Sequence, residues 1–457
     1  MVGSKPLDRI PSGETEHAAC LTLWAAKHYA APGSRVAAGA VGSVRGEGWL
    51  RQDVISTPGV RQSGITARMP PVLALNIGSS TVKFGVFEAA RGDLAPVLRG
   101  RIESRGSGRR LVSLDTAGGV LSETPWAAGG EDATPDLLRW AEARLAGPVA
   151  AVGHRVVHGG PDFSQPVAAS EPVLESLEAL APLAPLHQQQ GLAGVRALRK
   201  ACPDLPQILT FDTAFHGGHE PVADRLGLPR IWEARGLRRY GFHGLSYESV
   251  AGQLAALDPS MAEGRVVAAH LGSGASLCAL RNGRSIDTTM GATPLDGLVM
   301  GTRCGSLDPG VVLYLQQAEG LDAAELVDLL YRRSGLLGVS GLSGDMRVLL
   351  ESDSPAAREA VDLFVYRAAR EVAALAGSLE GLDGLVFTAG IGENSPRIRA
   401  EICARLAWLG VELDPAANRR GTGRLSTVGA PVTVWMIRTD EERVIARHVS
   451  RLLGLDR

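Results

Sequence analysis

The chain has 457 residues, of which 45% are hydrophobic and 21% charged, with a formal net charge of -2 at pH 7. That length allows two or three ordinary domains with sizeable cores. The near-neutral balance gives no electrostatic reason to expect nucleic acid or an anionic membrane as partner, and no run of 18 apolar residues suggests a transmembrane helix.

Residues 1–68 are rich in Gly, Ala, Ser and Arg and have poor periodicity. Their one apolar piece, Ala18 to Ala26, follows Glu14, Glu16 and His17 instead of the basic segment of a secretory signal. Met69 stands just before Pro70-Pro71 and the first strong strand, and is the expected start of translation. Residues 1–69 then form an extension that owes its presence to a mis-assigned start; a real, mostly disordered extension is the alternative.

Beyond Met69, strand-like and helix-like stretches alternate. Val72-Leu73-Ala74-Leu75 reads as a strand and runs into Asn76-Ile77-Gly78-Ser79-Ser80-Thr81-Val82-Lys83. Val149–Val157 and Gln207–Phe211 read as further strands. Val266-Val267-Ala268-Ala269 then repeats the first design, entering His270-Leu271-Gly272-Ser273-Gly274-Ala275-Ser276. In Pro355–Leu379, Val361, Phe364, Ala368, Val372, Leu375 and Leu379 recur at spacings of three and four, which predicts a long helix with proline near its start. Leu385–Thr388 is an apolar run closing on a third glycine turn, Gly390-Ile391-Gly392-Glu393-Asn394, and a helix is expected over Pro396–Leu409. The alternation predicts an α/β protein. The two matching turns predict a duplicated domain with a phosphorylated ligand between the copies, because small residues leave backbone N–H groups open to an anion.

Several side chains carry candidate chemistry. Lys83 follows the first turn, where its charge can meet a phosphate; the plainer reading is a hairpin with a surface lysine. Arg155, in Gly153-His154-Arg155, and Arg303, in Met300-Gly301-Thr302-Arg303-Cys304-Gly305, sit among small residues that let an anion approach. The plainer reading for each is an ion pair, with Asp308 a candidate partner. Asp212 closes a strand, a well-placed carboxylate for an α/β site or a simple helix cap. His243 alone is more readily a structural histidine, and Glu441 a first-turn helix charge. The five cysteines, Cys20, Cys202, Cys278, Cys304 and Cys403, are odd in number and without a CxxC pair, and read as reduced thiols of a cytoplasmic protein.

Taken together, these segments resemble the acetate kinases. The likeness runs from about Pro71 to the C-terminus through ten segments in one order: Asn76–Lys83, Gly153–Gly160, Ala184–His187, Phe211–His216, Arg238–Gly244, His270–Gly274, Asp287–Arg303, Ser334–Arg347, Phe387–Asn394 and Thr439–Ala446. The resemblance implies two duplicated actin-like (ribonuclease H-like) α/β domains with a nucleotide cleft between them. The first would comprise residues 70–213 plus 444–457, the second 214–443. It also implies reversible, magnesium-dependent, in-line transfer of the ATP γ-phosphoryl group to acetate, giving acetyl phosphate and ADP, in a cytoplasmic homodimer. Manganese could replace magnesium, since both take oxygen ligands.

Carried over motif by motif, Asn76 and Glu441 would place the metal, and Ser79, Thr81 and Lys83 would face the phosphates. Arg155 and Arg303 would hold the acyl carboxylate and the phosphoryl group, Asp212 would position Arg155 or the acyl group, and His243 would donate to the equatorial oxygens. ATP would be bound by His270, Leu271, Gly272, Ser273 and Gly274, by Asp345, Met346 and Arg347, and by Gly390, Ile391, Gly392, Glu393 and Asn394. Val157, Leu186, Phe242 and Pro294 would form the pocket for the methyl group. The chain departs from the family pattern at Gln188-Gln189-Gln190, where Asn-Pro is expected after His187, and at Ser273, where Asn is usual. It departs again at Leu245 and Tyr247, where Thr and His are common, and at Met346. The rival readings are a kinase of propionate or butyrate, a nucleotide-dependent switch or chaperone on the same fold, and a sugar kinase.

Overall fold

Short β-branched and aliphatic runs give the strands, and the longer three-and-four patterns give the helices that cover them. The computed structural model describes residues 71–455 apart from 79–80, 91–92, 106–107, 116–117, 127–133 and 146. The expectations for residues 1–69, for Met69 as start and for Ser79 lie outside the described residues.

The first sheet contains β1 (Val72–Ile77), β2 (Thr81–Ala90), β3 (Asp93–Arg105), β4 (Gly108–Leu114), β5 (Val120–Trp126), β6 (Ala151–Val156), β7 (Val167–Ala168) and β8 (Gln207–Phe211). Its strand order is β5-β4-β3-β2-β1-β6-β8-β7. The second contains β9 (Arg265–Leu271), β10 (Ala275–Arg281), β11 (Arg284–Thr288), β12 (Gly384–Thr388), β13 (Gly423–Arg424) and β14 (Thr433–Met436), in the order β11-β10-β9-β12-β14-β13.

The two sheets share one plan. β1 pairs antiparallel with β2, which pairs antiparallel with β3; on its other side β1 runs parallel to β6, and β6 to β8. β9, β10, β11, β12 and β14 repeat those steps. This is the duplication expected from the paired glycine turns, in the actin-like arrangement that the resemblance implies. Both turns are tight links of antiparallel hairpins. The Gly78 N–H donates to the Thr81 carbonyl at 2.9 Å, and the Gly272 N–H to the Gly274 carbonyl at 3.1 Å.

Five helices matter for the site: α1 (Gly244–Leu257), α2 (Pro355–Leu379), α3 (Ala389–Asn394), α4 (Pro396–Arg405) and α5 (Glu441–Leu453). The α2 bounds match the expectation, and its periodic residues Val361, Phe364, Ala368, Val372, Leu375 and Leu379 are all buried. They pack against Val267 and Ala269 of β9 and Leu277 and Ala279 of β10. Each such Val, Leu or Phe side chain contributes roughly 1.5–3 kcal/mol of burial. The strand expected over Val149–Val157 is confined to Ala151–Val156. The helix expected over Pro396–Leu409 ends at Arg405 and is followed by a 3-10 turn, Ala407–Leu409. Gly410, at φ 88°, stops it with a left-handed residue. The third glycine turn is itself the one-turn helix α3, entered by Ala389 at φ 65°.

Helix α5 lies on the first sheet, with Ile445 and Val449 against Val72 and Ala74. Gly153 in β6 makes this approach possible. A Cβ there would overlap Ile445 Cγ2 and stand 2.7 Å from Val449 Cγ2. The close approach brings the first turn of α5, and with it Glu441, to Asn76 at the end of β1.

Candidate active site

The C-terminal ends of β1, β6, β8, β9 and β12 open onto one cleft of about 490 Å³, the usual place for a ligand beside open α/β sheets. The first sheet contributes Asn76, Gly78, Thr81, Lys83, Arg155, Val157 and Asp212. Facing them are His270, Gly272, Ser273 and Gly274 of the second hairpin, with Ala389, Gly390 and Glu393 of α3. Phe242, His243, Pro294, Arg303, His187, Thr439 and Glu441 complete the wall.

A network of charges is built around Asn76. Arg155 donates through Nη2 to Asp212 Oδ2 at 2.5 Å and through Nε to both carboxylate oxygens at 3.0 Å. Its Nη1 donates to Asn76 Oδ1 at 3.0 Å. Asn76 Nδ2 in turn donates to Glu441 Oε2 at 2.7 Å and Glu442 Oε1 at 3.2 Å. Burial pushes Asp212 up from the ordinary carboxylate range; the Arg155 charge and the His243 peptide N–H pull it back. Burial also opposes the Arg155 charge, but Asp212 outweighs it and the guanidinium is held above its ordinary value. The two therefore persist as an ion pair. Burial raises Glu441 as well, yet Arg155, Lys83, His270 and the Asn76 amide together hold it below its ordinary value, so it stays ionised.

Arg303 is placed differently. Its Nη1 donates to the Pro294 carbonyl at 2.6 Å, and no carboxylate pairs with it among the described residues. Burial, with Arg155 nearby, lowers the guanidinium to about 10, still charged at neutral pH. Asp308, the partner the sequence allowed, instead caps the helix that starts at Pro309. The cleft therefore holds one paired and one unpaired arginine, with Lys83 on the β2 side; its three cations are matched by Asp212, Glu393 and Glu441, so the charge that suits an anion is local, at Arg303.

His243 is the N-cap of α1 and sits in the left-handed region at φ 59°, which costs a non-glycine residue roughly 1–2 kcal/mol. The conformation is fixed by its neighbours. The Gly244 N–H donates to the Asp212 carbonyl at 2.8 Å, and a Cβ on Gly244 would overlap that same carbonyl oxygen. The His243 ring stacks on His270, with centroids 4.0 Å apart and planes 14° apart. Burial lowers both rings, His270 to about 4 and His243 well below its ordinary value, so both are neutral at pH 7.

Asn76, Thr81, Lys83, Arg155, Val157, Asp212, Phe242, His243, His270, Gly272, Ser273, Gly274, Pro294, Arg303, Gly390, Glu393 and Glu441 are thus brought together. Others are not on the cleft wall. Leu271 is buried in the core beneath it, and Leu186 does not line it while the next residue, His187, does. Met346 is buried, and Asp345 and Arg347 pair with each other at 2.6 Å on a helix end. Their loop starts beside the cleft, where the Gly344 carbonyl backs Gly301 and Gly301 N–H donates to Ser273. Gly392 is buried, and Asn394 closes α3 by donating to the Gly390 carbonyl at 2.9 Å. His187, Ala389 and Thr439 line the cleft without having been singled out. The signal for His187 was present in Ala184–His187, but nothing in spacing distinguishes it from Leu186.

Among the described residues no group of three or more His, Cys, Asp or Glu converges as a metal site. A single ionised carboxylate, Glu441, suits magnesium, which keeps most of its waters and takes phosphate oxygens. Asn76 spends both ends of its amide on Glu441 and Arg155, so its fit is to hold those two groups.

Comparison with known proteins points one way. The family model described as "Acetokinase family" matches residues 71–447. An acetate kinase of Rhodopseudomonas palustris is 51% identical over 389 residues, which cover 83% of this chain and 98% of that protein. Among solved structures, a propionate kinase of Francisella tularensis is 35% identical with a TM-score of 0.76, covering 83% of this chain and 99% of its own. The acetate kinase of Porphyromonas gingivalis is 35% identical with a TM-score of 0.72, covering 84% and 100%.

Proposed function

The chain belongs to the acetokinase family, and on that premise we propose that it transfers the γ-phosphoryl group of ATP to acetate, reversibly, giving acetyl phosphate and ADP. The observation that carries this reading is the pair of arginines lining one cleft, Arg155 neutralised by Asp212 and Arg303 without a carboxylate, beside apolar Val157, Phe242 and Pro294.

Acetate is already ionised at pH 7, so no strong base is needed. The obstacle is bringing two anions into line. Arg303 takes the carboxylate or the phosphoryl oxygens, Arg155 shares that load, and His243 donates to the charge spread over the phosphoryl group. Lys83 and the backbone of the two hairpins and α3 receive the nucleotide phosphates. Asp212 and Asn76 hold Arg155 at the angle the transfer requires. Glu441 would hold magnesium, which supplies charge neutralisation at the phosphates when bound. The transfer is direct and in line, with no carboxylate on the protein used as an intermediate acceptor.

Propionate is the second substrate reading, favoured by the likeness to the propionate kinase structure. One added methylene is worth about 1–3 kcal/mol, so propionate reacts more slowly than acetate and is not refused. We take residues 70–213 with 444–457 as one catalytic domain and 214–443 as the other. We take the enzyme to be a cytoplasmic homodimer. Supporting the homodimer, Leu307, Val311, Leu313 and Tyr314 form an exposed apolar face on and beside a helix with no buried residue. Supporting the compartment, Cys202, Cys278, Cys304 and Cys403 are free thiols. No helix among the described residues is long and apolar enough to cross a membrane.

The test is hydroxylamine trapping of acyl phosphate with MgATP and acetate, propionate, butyrate or no acid. Signal in the order acetate, propionate, butyrate supports the reading. ATP hydrolysis without acyl phosphate would sink it and leave a nucleotide-dependent switch.

A further inference from the structure

Two buried hydroxyl groups behind the cleft form a chain to His243 that the transfer itself does not use. Tyr247, on α1, is fully buried, and its phenol oxygen lies 2.5 Å from Ser276 Oγ in β10. Ser276 Oγ, also fully buried, lies 2.8 Å from His243 Nδ1. His243 then faces the cleft.

The direction of the protons follows from counting donors and acceptors. Burial holds the Tyr247 phenol well above its usual range, so it keeps its proton at neutral pH. A buried phenol proton needs an acceptor, and Ser276 Oγ is the one in hydrogen-bond reach among the described residues. A serine hydroxyl has one proton. With the phenol donating to it, Ser276 gives that proton to His243 Nδ1. An imidazole that accepts at Nδ1 and is neutral carries its proton at Nε2.

We propose that Tyr247 and Ser276 are positioning residues that fix His243 as the Nε2–H tautomer, aimed at the transferring phosphoryl group. The proposal rests on the reading of His243 as the donor to that group. Stacking on His270 supports the same end, because it holds the ring plane while the relay sets the tautomer. His270 is itself tied through Nδ1 to Ser246 Oγ at 2.8 Å, so both stacked rings are anchored by serine hydroxyls. Other groups face His243: Arg155, Arg303 and His216 oppose a second proton on it. A neutral donor is thus maintained beside a substrate that is itself anionic, without a carboxylate to pull the ring into the wrong tautomer.

The sequence departs from its family pattern at Tyr247, where histidine is common, and the structure gives that departure this role. A phenol is a one-proton donor with no tautomers of its own at neutral pH, because burial holds its ionisation well above the usual range.

The experiment is nitrogen-15 NMR of histidine-labelled full chain, with the His243 ring assigned by loss of its signals in His243→Gln. Wild-type protein should show a protonated Nε2 and an accepting, unprotonated Nδ1. A protonated Nδ1 in wild type overturns the relay whatever the activity. Tyr247→Phe should lower kcat about tenfold with both KM values within about twofold, since one buried hydrogen bond is lost away from the substrate. It should also shift or broaden the Nδ1 signal. Tyr247→Phe with wild-type kcat and an unchanged Nδ1 signal also overturns the relay. A shifted Nδ1 signal with unchanged kcat keeps the relay and instead removes His243 as phosphoryl donor.

Discussion

Arg155 and Asp212 are joined by three hydrogen bonds across neighbouring parallel strands, Nη2 to Oδ2 at 2.5 Å and Nε to both oxygens at 3.0 Å. Arg303, across the same cleft, has only the Pro294 carbonyl, at 2.6 Å, among the described residues. The first arginine is held in place by a buried carboxylate. The second keeps its charge available for a ligand.

That difference predicts different damage from the same change. Arg155→Ala and Arg303→Ala should each lower turnover about a thousandfold, as when an arginine that stabilises phosphoryl transfer is lost. Arg155→Ala also leaves Asp212 buried and unpaired, which should cost about 3–5 kcal/mol of stability. Arg303→Ala strands no carboxylate and should melt near the wild-type temperature. Steady-state kinetics and thermal melting on both variants check this; equal melting losses would contradict the assigned pairing.

Val157 lines the cleft and is 6% exposed, next to Phe242 and Pro294. Val157→Ala should open room for one further methylene. The ratio of kcat/KM for propionate over acetate should rise about tenfold, within the range a single methylene contact provides. An unchanged ratio would place the acyl group elsewhere.

Stability should fall in mild acid. Burial lowers His154, His158 and His270 to about 4 and His187 and His216 to about 3, from 6.5. Between those values the unfolded chain binds more protons than the folded one, so each drop in pH favours unfolding. The contribution of these neutral rings is whole above about 6.5 and is lost progressively as pH falls towards 4. Each ring weighs up to about 1.4 kcal/mol per pH unit inside that window. Melting temperatures from pH 7.5 to 4.5 measure this directly, and a flat profile would contradict the burial of these rings as neutral groups.

Gly153→Ala should destabilise from a position outside the cleft lining. The added methyl would collide with Ile445 and Val449, and overpacking of this kind costs about 1–3 kcal/mol. Because α5 carries Glu441, a partial retreat of the helix should also raise the magnesium concentration needed for half-maximal rate. Denaturant unfolding and a magnesium titration give the two readouts.

The sequence was most legible where local chemistry and fold agree. The Pro355–Leu379 helix was readable because its buried face repeats at helical spacing from a proline start, and its bounds match. The two hairpins were readable because Asn76-Ile77-Gly78 and His270-Leu271-Gly272 share a pattern, and each sits on the same step of its sheet. Less was visible where position depends on distant packing. Ala389–Asn394 looks like a glycine turn, yet Arg399, fully buried, donates to the Gly392 and Glu393 carbonyls at 2.8 and 2.9 Å and holds it as a helix. Leu186 and His187 are adjacent, and only the turn into the helix from Gln188 decides which one lines the cleft. The ion pair of Arg155 with Asp212 joins residues 57 positions apart, and the resemblance alone suggested it.

Phosphorus-31 NMR of wild-type protein with ATP, magnesium and acetate tests the central claim most directly, because it follows the γ-phosphoryl group itself. The account predicts loss of the γ signal matched by equal gains of ADP and acetyl phosphate, and reversal when ADP and acetyl phosphate are supplied. Inorganic phosphate appearing in place of acetyl phosphate, at the same rate with and without acetate, would contradict it.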